Sequence, residues 1–132
     1  MPSKTALVTG GAGFIGSHLV DRLLAEGFRV RVLDNFSTGR PENLAHRKND
    51  SALDLVEGDI AEGEKTTSLY QGADWIFHLA ALADIVPSIE MPTQYHHSNV
   101  EGTLAVLENA RKHRVKRFIY SASSSCYGIP DH

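Results

Sequence analysis

A single cysteine, Cys126, stands in the 132 residues, so no disulfide forms within the chain and a reducing compartment is the expectation. Long apolar runs are missing as well. No uninterrupted stretch approaches the roughly 20 residues that a membrane helix needs, and the N-terminus runs into a predicted strand without the regions of a signal peptide. A cytoplasmic protein with no membrane contact is expected. Charge of one sign is also lacking: 13 Lys+Arg stand against 16 Asp+Glu, for a net charge of −3. The overall balance therefore offers no footprint for nucleic acid. The seven histidines show no ligand spacing, so no metal site is expected. His96 and His97 are neighbours that point in different directions on a helix, His78 reads as buried strand packing, and Cys126 reads as a small packed residue.

What is present is an ordinary core-forming composition, 42% hydrophobic with 11 Gly and 5 Pro, and enough chain for one domain over residues 1–132. Thr5 to Thr9 is a short apolar run that stops at glycines, and Phe14 to Ala25 puts Ile15, Leu19, Val20, Leu23 and Leu24 on one helical face. Gly27 ends that helix. Arg29 to Asp34 predicts a second strand, residues 42 to 50 a short polar helix, and Asp54 to Gly58 a third strand. Ala61 to Tyr70 reads as a weak helix, and Trp75 to Ala80 is a continuous apolar run of the kind buried in parallel sheets. Pro87 and Pro92 mark the next connection as a poor place for helix interiors. Thr93 to His113 is helical again, and Arg117 to Ser121 is a fifth strand before a Ser-rich turn. Strands alternating with amphipathic helices predict an α/β fold, a doubly wound parallel sheet with right-handed crossovers.

Gly10, Gly11, Gly13 and Gly16 fall between the first strand and the first helix. Gly11-x-Gly13-x-x-Gly16 and Gly10-x-x-Gly13-x-x-Gly16 both fit a turn in which side chains are absent so that backbone N–H groups reach a pyrophosphate at a helix N-terminus. Asp34, at the end of the second strand, either accepts hydrogen bonds from adenosine ribose hydroxyls or caps the loop after it. The first reading predicts NAD over NADP, because a 2′-phosphate would meet like charge; Arg40 close by pulls the other way.

Six stretches carry a resemblance: Thr9 to His18 (TGGAGFIGSH), Asp34 to Gly39 (DNFSTG), Gly58-Asp59-Ile60, His78 to Ala81 (HLAA), Asn99, and Ser121 to Gly128 (SASSSCYG). In that order they resemble the extended short-chain dehydrogenase/reductase superfamily, and within it the nucleotide-sugar epimerases. The resemblance implies a Rossmann-like NAD-binding domain. It places Phe14 and Ile15 beside the pyrophosphate and Asp34, Asn35, Phe36, Ser37, Thr38 and Gly39 near the adenosine. Asp59 and Ile60 would bracket the adenine. Leu79, Ala80, Ala81, Ala83 and Ser121 would lie on the nicotinamide side, with Asn99 supporting the site from the long helix. For Asp59 a strand-end cap, and for Asn99 an exposed polar position, remain open.

Ser123, five residues before Gly128, matches the family's serine or threonine that hydrogen-bonds the reacting sugar hydroxyl; without the family, Ser121 to Ser125 is a polar turn. Ser124 would also face the substrate, and Ser88 lies in the segment that approaches the hexose. Dehydratases of the superfamily follow their threonine with an Asp-Glu pair, and decarboxylases keep an acid in this turn. Here Ser124 and Ser125 stand instead, so no carboxylate moves protons at the sugar carbons. The implied reaction is 4-epimerisation of a UDP-hexose by transient C4 oxidation with bound NAD.

The family's Tyr-x-x-x-Lys pair is absent: four places after Tyr70, Tyr95, Tyr120 and Tyr127 stand Asp74, Asn99, Ser124 and Asp131. The expectation is therefore the N-terminal portion of an epimerase, a Rossmann-like domain incomplete at its C-terminus, without a substrate domain and inactive alone. A non-catalytic dinucleotide-binding module is the competing expectation. Homodimerisation through the helix near residues 93 to 113 is implied for the whole enzyme. Arg111 to Arg117, with five cations, reads as a solvated helix end rather than a nucleic-acid patch.

Overall fold

A computed structural model describes residues 3–131; Met1, Pro2 and His132 lie outside the described residues. Five parallel strands, β1 (Thr5–Thr9), β2 (Arg29–Asp34), β3 (Leu53–Glu57), β4 (Trp75–His78) and β5 (Arg117–Tyr120), form one sheet in the order β3-β2-β1-β4-β5. The chain winds outward from β1 to β3 and then crosses back to β4. The point of reversal lies between β1 and β4.

Alternation along β1 divides the interior in two. Ala6 and Val8 point to one face, where Val30 and Val32 of β2 meet Val20 and Leu23 of helix α1 (Phe14–Ala25) and Leu44 of a 3-10 helix, Pro41–Arg47. Leu7 points to the other, against Leu33, Ile60, Tyr70, Ile76, Val106 and Ala110. Each fully buried aliphatic side chain here contributes about 1.5–3 kcal/mol. One core therefore lies under each winding direction.

Helix α1 stops where expected. Gly27 adopts φ +82°, its N–H bonds to the Leu24 carbonyl, and the Phe28 N–H reaches back to Leu23, a Schellman closure. The polar segment predicted at 42 to 50 is the 3-10 helix Pro41–Arg47, and the weak helix before β4 is α2 (Gly63–Thr66) followed by a 3-10 turn, Thr67–Tyr70.

Pro87 and Pro92 do not exclude helix, which corrects the sequence expectation. Helix α3 (Ile85–Glu90) carries Pro87 in its first turn and α4 (Pro92–His96) begins with Pro92, positions whose N–H groups have no intrahelical partner to lose. From α4 the chain passes through a π-helical stretch, His97–Glu101, into α5 (Gly102–Lys112). The long helix predicted from Thr93 to His113 is this composite.

The basic segment closes α5. Arg114 takes φ +54° as its N–H bonds to Arg111 and that of Val115 to Ala110, a second Schellman closure. Arg111 pairs with Glu108 at 2.9 Å, Lys116 with Asp74 at 2.6 Å, and Arg117 lies over the Trp75 ring at 4.9 Å. Three of its five cations are thus engaged within the chain.

Candidate functional site

The carboxyl ends of β1, β2 and β4 open into a cleft at the point of strand reversal, the usual ligand position in open parallel sheets. Gly10, φ +71°, makes the turn out of β1; a Cβ there would come within 2.7 Å of the Ala80 backbone nitrogen. That contact closes the seam between β1 and β4. Gly13 is the N-cap of α1, with no side-chain cap and no acidic residue in the first turn. The N–H groups an α-helix leaves unpaired there, at its positive end, are available to an anion. Phe14 and Ile15 are exposed beside them, 78% and 67%. Of the two glycine readings, Gly10 and Gly13 line the cleft, whereas a side chain on Gly11 would run into Val32 of the core.

Asp34 is buried. Its Oδ2 accepts from the Ala12 N–H at 2.9 Å and its Oδ1 from the Phe36 N–H at 2.9 Å, yet it lines the cleft. Asp34 therefore caps the loop after β2, one of its two sequence readings, and does so from the wall of the cleft. Asn35, Ser37, Thr38, Gly39, Ile60, Leu79, Ala80 and Ala81 line the same cleft. Phe36 does not; its side chain packs against the α1-side core. Asp59 faces an adjoining groove and bonds back to the Ala61 N–H, the strand-end cap left open above. Gly58, quoted in a motif but given no role, joins the wall, as do Leu33, Leu82 and Ser98, which were not singled out. Gly58 opens one strand-end motif and Leu82 directly follows another, which was the available signal.

A second cleft shares Leu79 to Leu82 with the first and continues along Ala83, Asn99, Thr103, Tyr120 and Ser121 to Ser125. Asn99 is not a free surface amide. Its Oδ1 accepts from the Leu82 N–H and its Nδ2 donates to the Leu82 carbonyl, both at 2.8 Å. His78, 1% exposed, joins the same construction. Its Nε2 stands 2.9 Å from Thr103 Oγ1, which donates to the Asn99 carbonyl, and its Nδ1 stands 2.6 Å from Thr9 Oγ1, which accepts from the Ala80 N–H. With the Thr103 hydroxyl proton committed to Asn99, the consistent tautomer carries the ring proton on Nε2. Burial pushes the imidazole pKa down to about 4. His78 is thus strand packing, as expected, and also a neutral tie between β1, β4 and the long helix.

Ser123 Oγ accepts from the Ser125 N–H at 3.1 Å and donates to Ser125 Oγ at 2.9 Å, capping a 3-10 turn, Ser124–Tyr127, that is exposed throughout. Ser124 lines the second cleft beside it. Ser88, on α3, lines neither of the two clefts, and its Oγ donates to the Ile85 carbonyl. Two further expectations are corrected. Cys126 is exposed rather than packed, since none of the described residues covers its turn. His96 and His97 do not diverge: both reach Glu101, at 3.6 and 2.7 Å, because the carboxylate's two oxygens lie within reach of successive residues one turn earlier. Bonds to Glu101 and Asp59 raise the His97 pKa. Among the described residues no group of three or more His, Cys, Asp or Glu is arranged to hold a metal, and no helix is long and apolar enough to cross a membrane.

The family model for the NAD dependent epimerase/dehydratase family matches residues 6–132. The chain belongs to this family. It is 36% identical over 129 residues to the UDP-glucose 4-epimerase of Bacillus subtilis (strain 168), covering 95% of this chain and 38% of that protein. It is 42% identical over 124 residues to UDP-glucuronic acid decarboxylase 4 of Arabidopsis thaliana, covering 94% and 27%. The solved UDP-glucose 4-epimerase from Brucella ovis in complex with NAD superposes with a TM-score of 0.86 at 35% identity, over 98% of this chain and 39% of that one. The chain therefore spans well under half the length of these relatives. The family's Rossmann-like sheet is the fold observed here.

Proposed function

We propose that this chain is the NAD-binding part of a UDP-hexose 4-epimerase. The observation that carries the reading is the pair of clefts joined along Leu79 to Leu82, which runs from a buried acid to a serine turn and offers the second cleft no carboxylate among its described lining residues. The residues fit a dinucleotide. The first turn of α1 would take the pyrophosphate, Asp34 the adenosine ribose, Ile60 one side of the adenine, and Ala80, Ala81 and Ser121 the nicotinamide half. Bound NAD would accept hydride from C4 of the sugar and return it.

The chain's own residues do the holding. Asn99 and His78 fix the backbone at Ala80 and Leu82, and Ser123 would hydrogen-bond the sugar hydroxyl from the rim. Decarboxylation and dehydration are the competing chemistries in the family, and the 42% identity to a decarboxylase means that overall likeness does not separate them. The turn supports epimerisation: Ser124 and Ser125 carry hydroxyls at the positions where the resemblance puts an acid in the other two chemistries. The Tyr-x-x-x-Lys pair would come from outside these residues. The outward face of the long helix, with Val100, Leu104 and Leu107 exposed, suits a homodimer of the whole enzyme, and a cytoplasmic location goes with the single exposed cysteine.

Titration of the chain with each nucleotide tests the cofactor, and NAD is expected to bind at least tenfold tighter than NADP, roughly 1.4 kcal/mol. A preference for NADP overturns the role given to Asp34. The protein carrying this chain as its N-terminal part is expected to interconvert 4-epimeric UDP-hexoses without releasing CO2 or losing water. Turnover of a UDP-sugar by the isolated chain with NAD would overturn the assignment of the missing pair to other residues.

A further inference from the structure

Asn43 lies outside both clefts, yet its amide holds a peptide that the phosphate-facing turn depends on. Its Nδ2 donates to the Ala12 carbonyl at 2.8 Å, and the Arg40 N–H donates to the same oxygen at 3.0 Å. On the other side of Ala12, the N–H donates to Asp34 Oδ2 at 2.9 Å. Two successive peptide groups, just before the N-cap Gly13, are thereby gripped from outside the turn. Ala12 itself is fully buried, so water does not replace a lost donor there without rearrangement.

The support for Asn43 is rigid. It rides on the 3-10 helix Pro41–Arg47, whose Leu44 is 2% exposed in the α1-side core and whose His46 and Arg47 bond Asp21 of α1 at 2.8 and 2.7 Å. The same connection carries the adenosine loop. Gly39 passes so close that a Cβ there would stand 2.9 Å from both Asp34 oxygens.

We propose that Asn43 is a positioning residue for dinucleotide binding: through Ala12 it locks the pyrophosphate-facing turn in register with the ribose-facing Asp34. The inference rests on the NAD-binding reading above. The position calls for a side-chain donor, because aspartate would set oxygen against the Ala12 carbonyl and alanine would leave that oxygen one donor short.

The test measures binding of NAD, ADP and adenosine to the wild-type chain and to Asn43→Ala and Asn43→Asp, with thermal melts of each. Both variants are expected to bind NAD and ADP about tenfold more weakly and adenosine, which has no phosphate, within about twofold of wild type. Either variant alone decides if the other does not fold. Equal loss across all three ligands overturns the proposal, since general loosening of the domain does not distinguish phosphate from nucleoside. Unchanged ADP affinity in a folded variant overturns it too, while leaving the cofactor reading intact. Failure of the wild-type chain to bind NAD removes both.

Discussion

Around Asp34 the cleft wall is buried and its polar groups are bonded to the backbone of two loops, whereas past Ser121, whose N–H still donates to the His78 carbonyl, the wall from Ser123 to Gly128 is exposed and its bonds run within the turn. The β2 strand behind the first is buried at four of its six positions; β5 behind the second has none buried. On the adenosine side, folding alone fixes the geometry, so little ordering is left for a ligand to supply. On the serine side the hydroxyls hang on a short turn whose sequence can change without disturbing a core. An epimerase and a decarboxylase are both similar to this chain, at 36% and 42% identity. On the function proposed above, the first side would serve either chemistry and the second would select between them.

The largest effect is expected at the seam that joins the two sides. Gly10→Ala places a Cβ at φ +71° against the Ala80 backbone, combining a left-handed strain with overpacking against atoms that cannot rotate away. The cost is about 4 kcal/mol, a fall in Tm on the order of 10 °C by thermal melting. A change below about 1 kcal/mol would mean that the sides are not rigidly joined.

His78 gives the next effect, and it acts through pH. In the unfolded chain the imidazole takes a proton near its ordinary 6.5, while in the fold it does so only near 4. Stability from its burial is therefore full above about pH 6.5 and is lost as pH falls toward and through 4, about 3 kcal/mol in all. Urea unfolding at stepped pH should show this slope in the wild type. His78→Gln should flatten it while lowering stability at neutral pH. An equal slope in both would remove His78 as its source.

How much of this was legible beforehand follows the same division. Strands and glycine turn were readable because Val8, Val30 and Val32 obey a period set by burial, and Gly10 to Gly16 mark a backbone need. The hydrogen-bonded ties were not. Asn99 and Thr103 meet by helical spacing, but nothing in the sequence says that Thr9, His78 and Thr103 meet, because separations of 69 and 25 residues are closed only by the tertiary fold. Asn43 was hidden for the same reason. The α3 helix was missed because proline was weighed as an interior residue when it stands in a first turn. Cys126 was misplaced because small residues are commonly buried and its turn has no cover among the described residues.

Asp34→Asn probes the bonded side more gently. An amide keeps one acceptor but turns an N–H donor toward either the Ala12 or the Phe36 N–H, both of which need acceptors. NAD binding should weaken by about tenfold, roughly 1.4 kcal/mol, and the preference over NADP should shrink as the like charge disappears. Titration calorimetry with both nucleotides measures the two together. A weaker NAD affinity with undiminished preference would assign Asp34 to loop structure alone.

Ser123→Ala is expected to do least to the fold, and that is its value. The residue is exposed and caps a four-residue turn with no buried member, so the loss of its two bonds to Ser125 should change unfolding free energy by no more than about 0.5 kcal/mol. NAD affinity of the chain should stay the same, since the hydroxyl faces the second cleft and not the first. In the whole enzyme, by contrast, turnover should drop by about 100-fold if the hydroxyl meets the sugar. The Asp34 side would then show binding and stability changing together, and the Ser123 side turnover changing alone. A stability loss of 2 kcal/mol or more on the scale of a buried hydrogen-bonded group would show that the serine turn is built like the rest of the cleft after all, and the contrast between the two sides would fail.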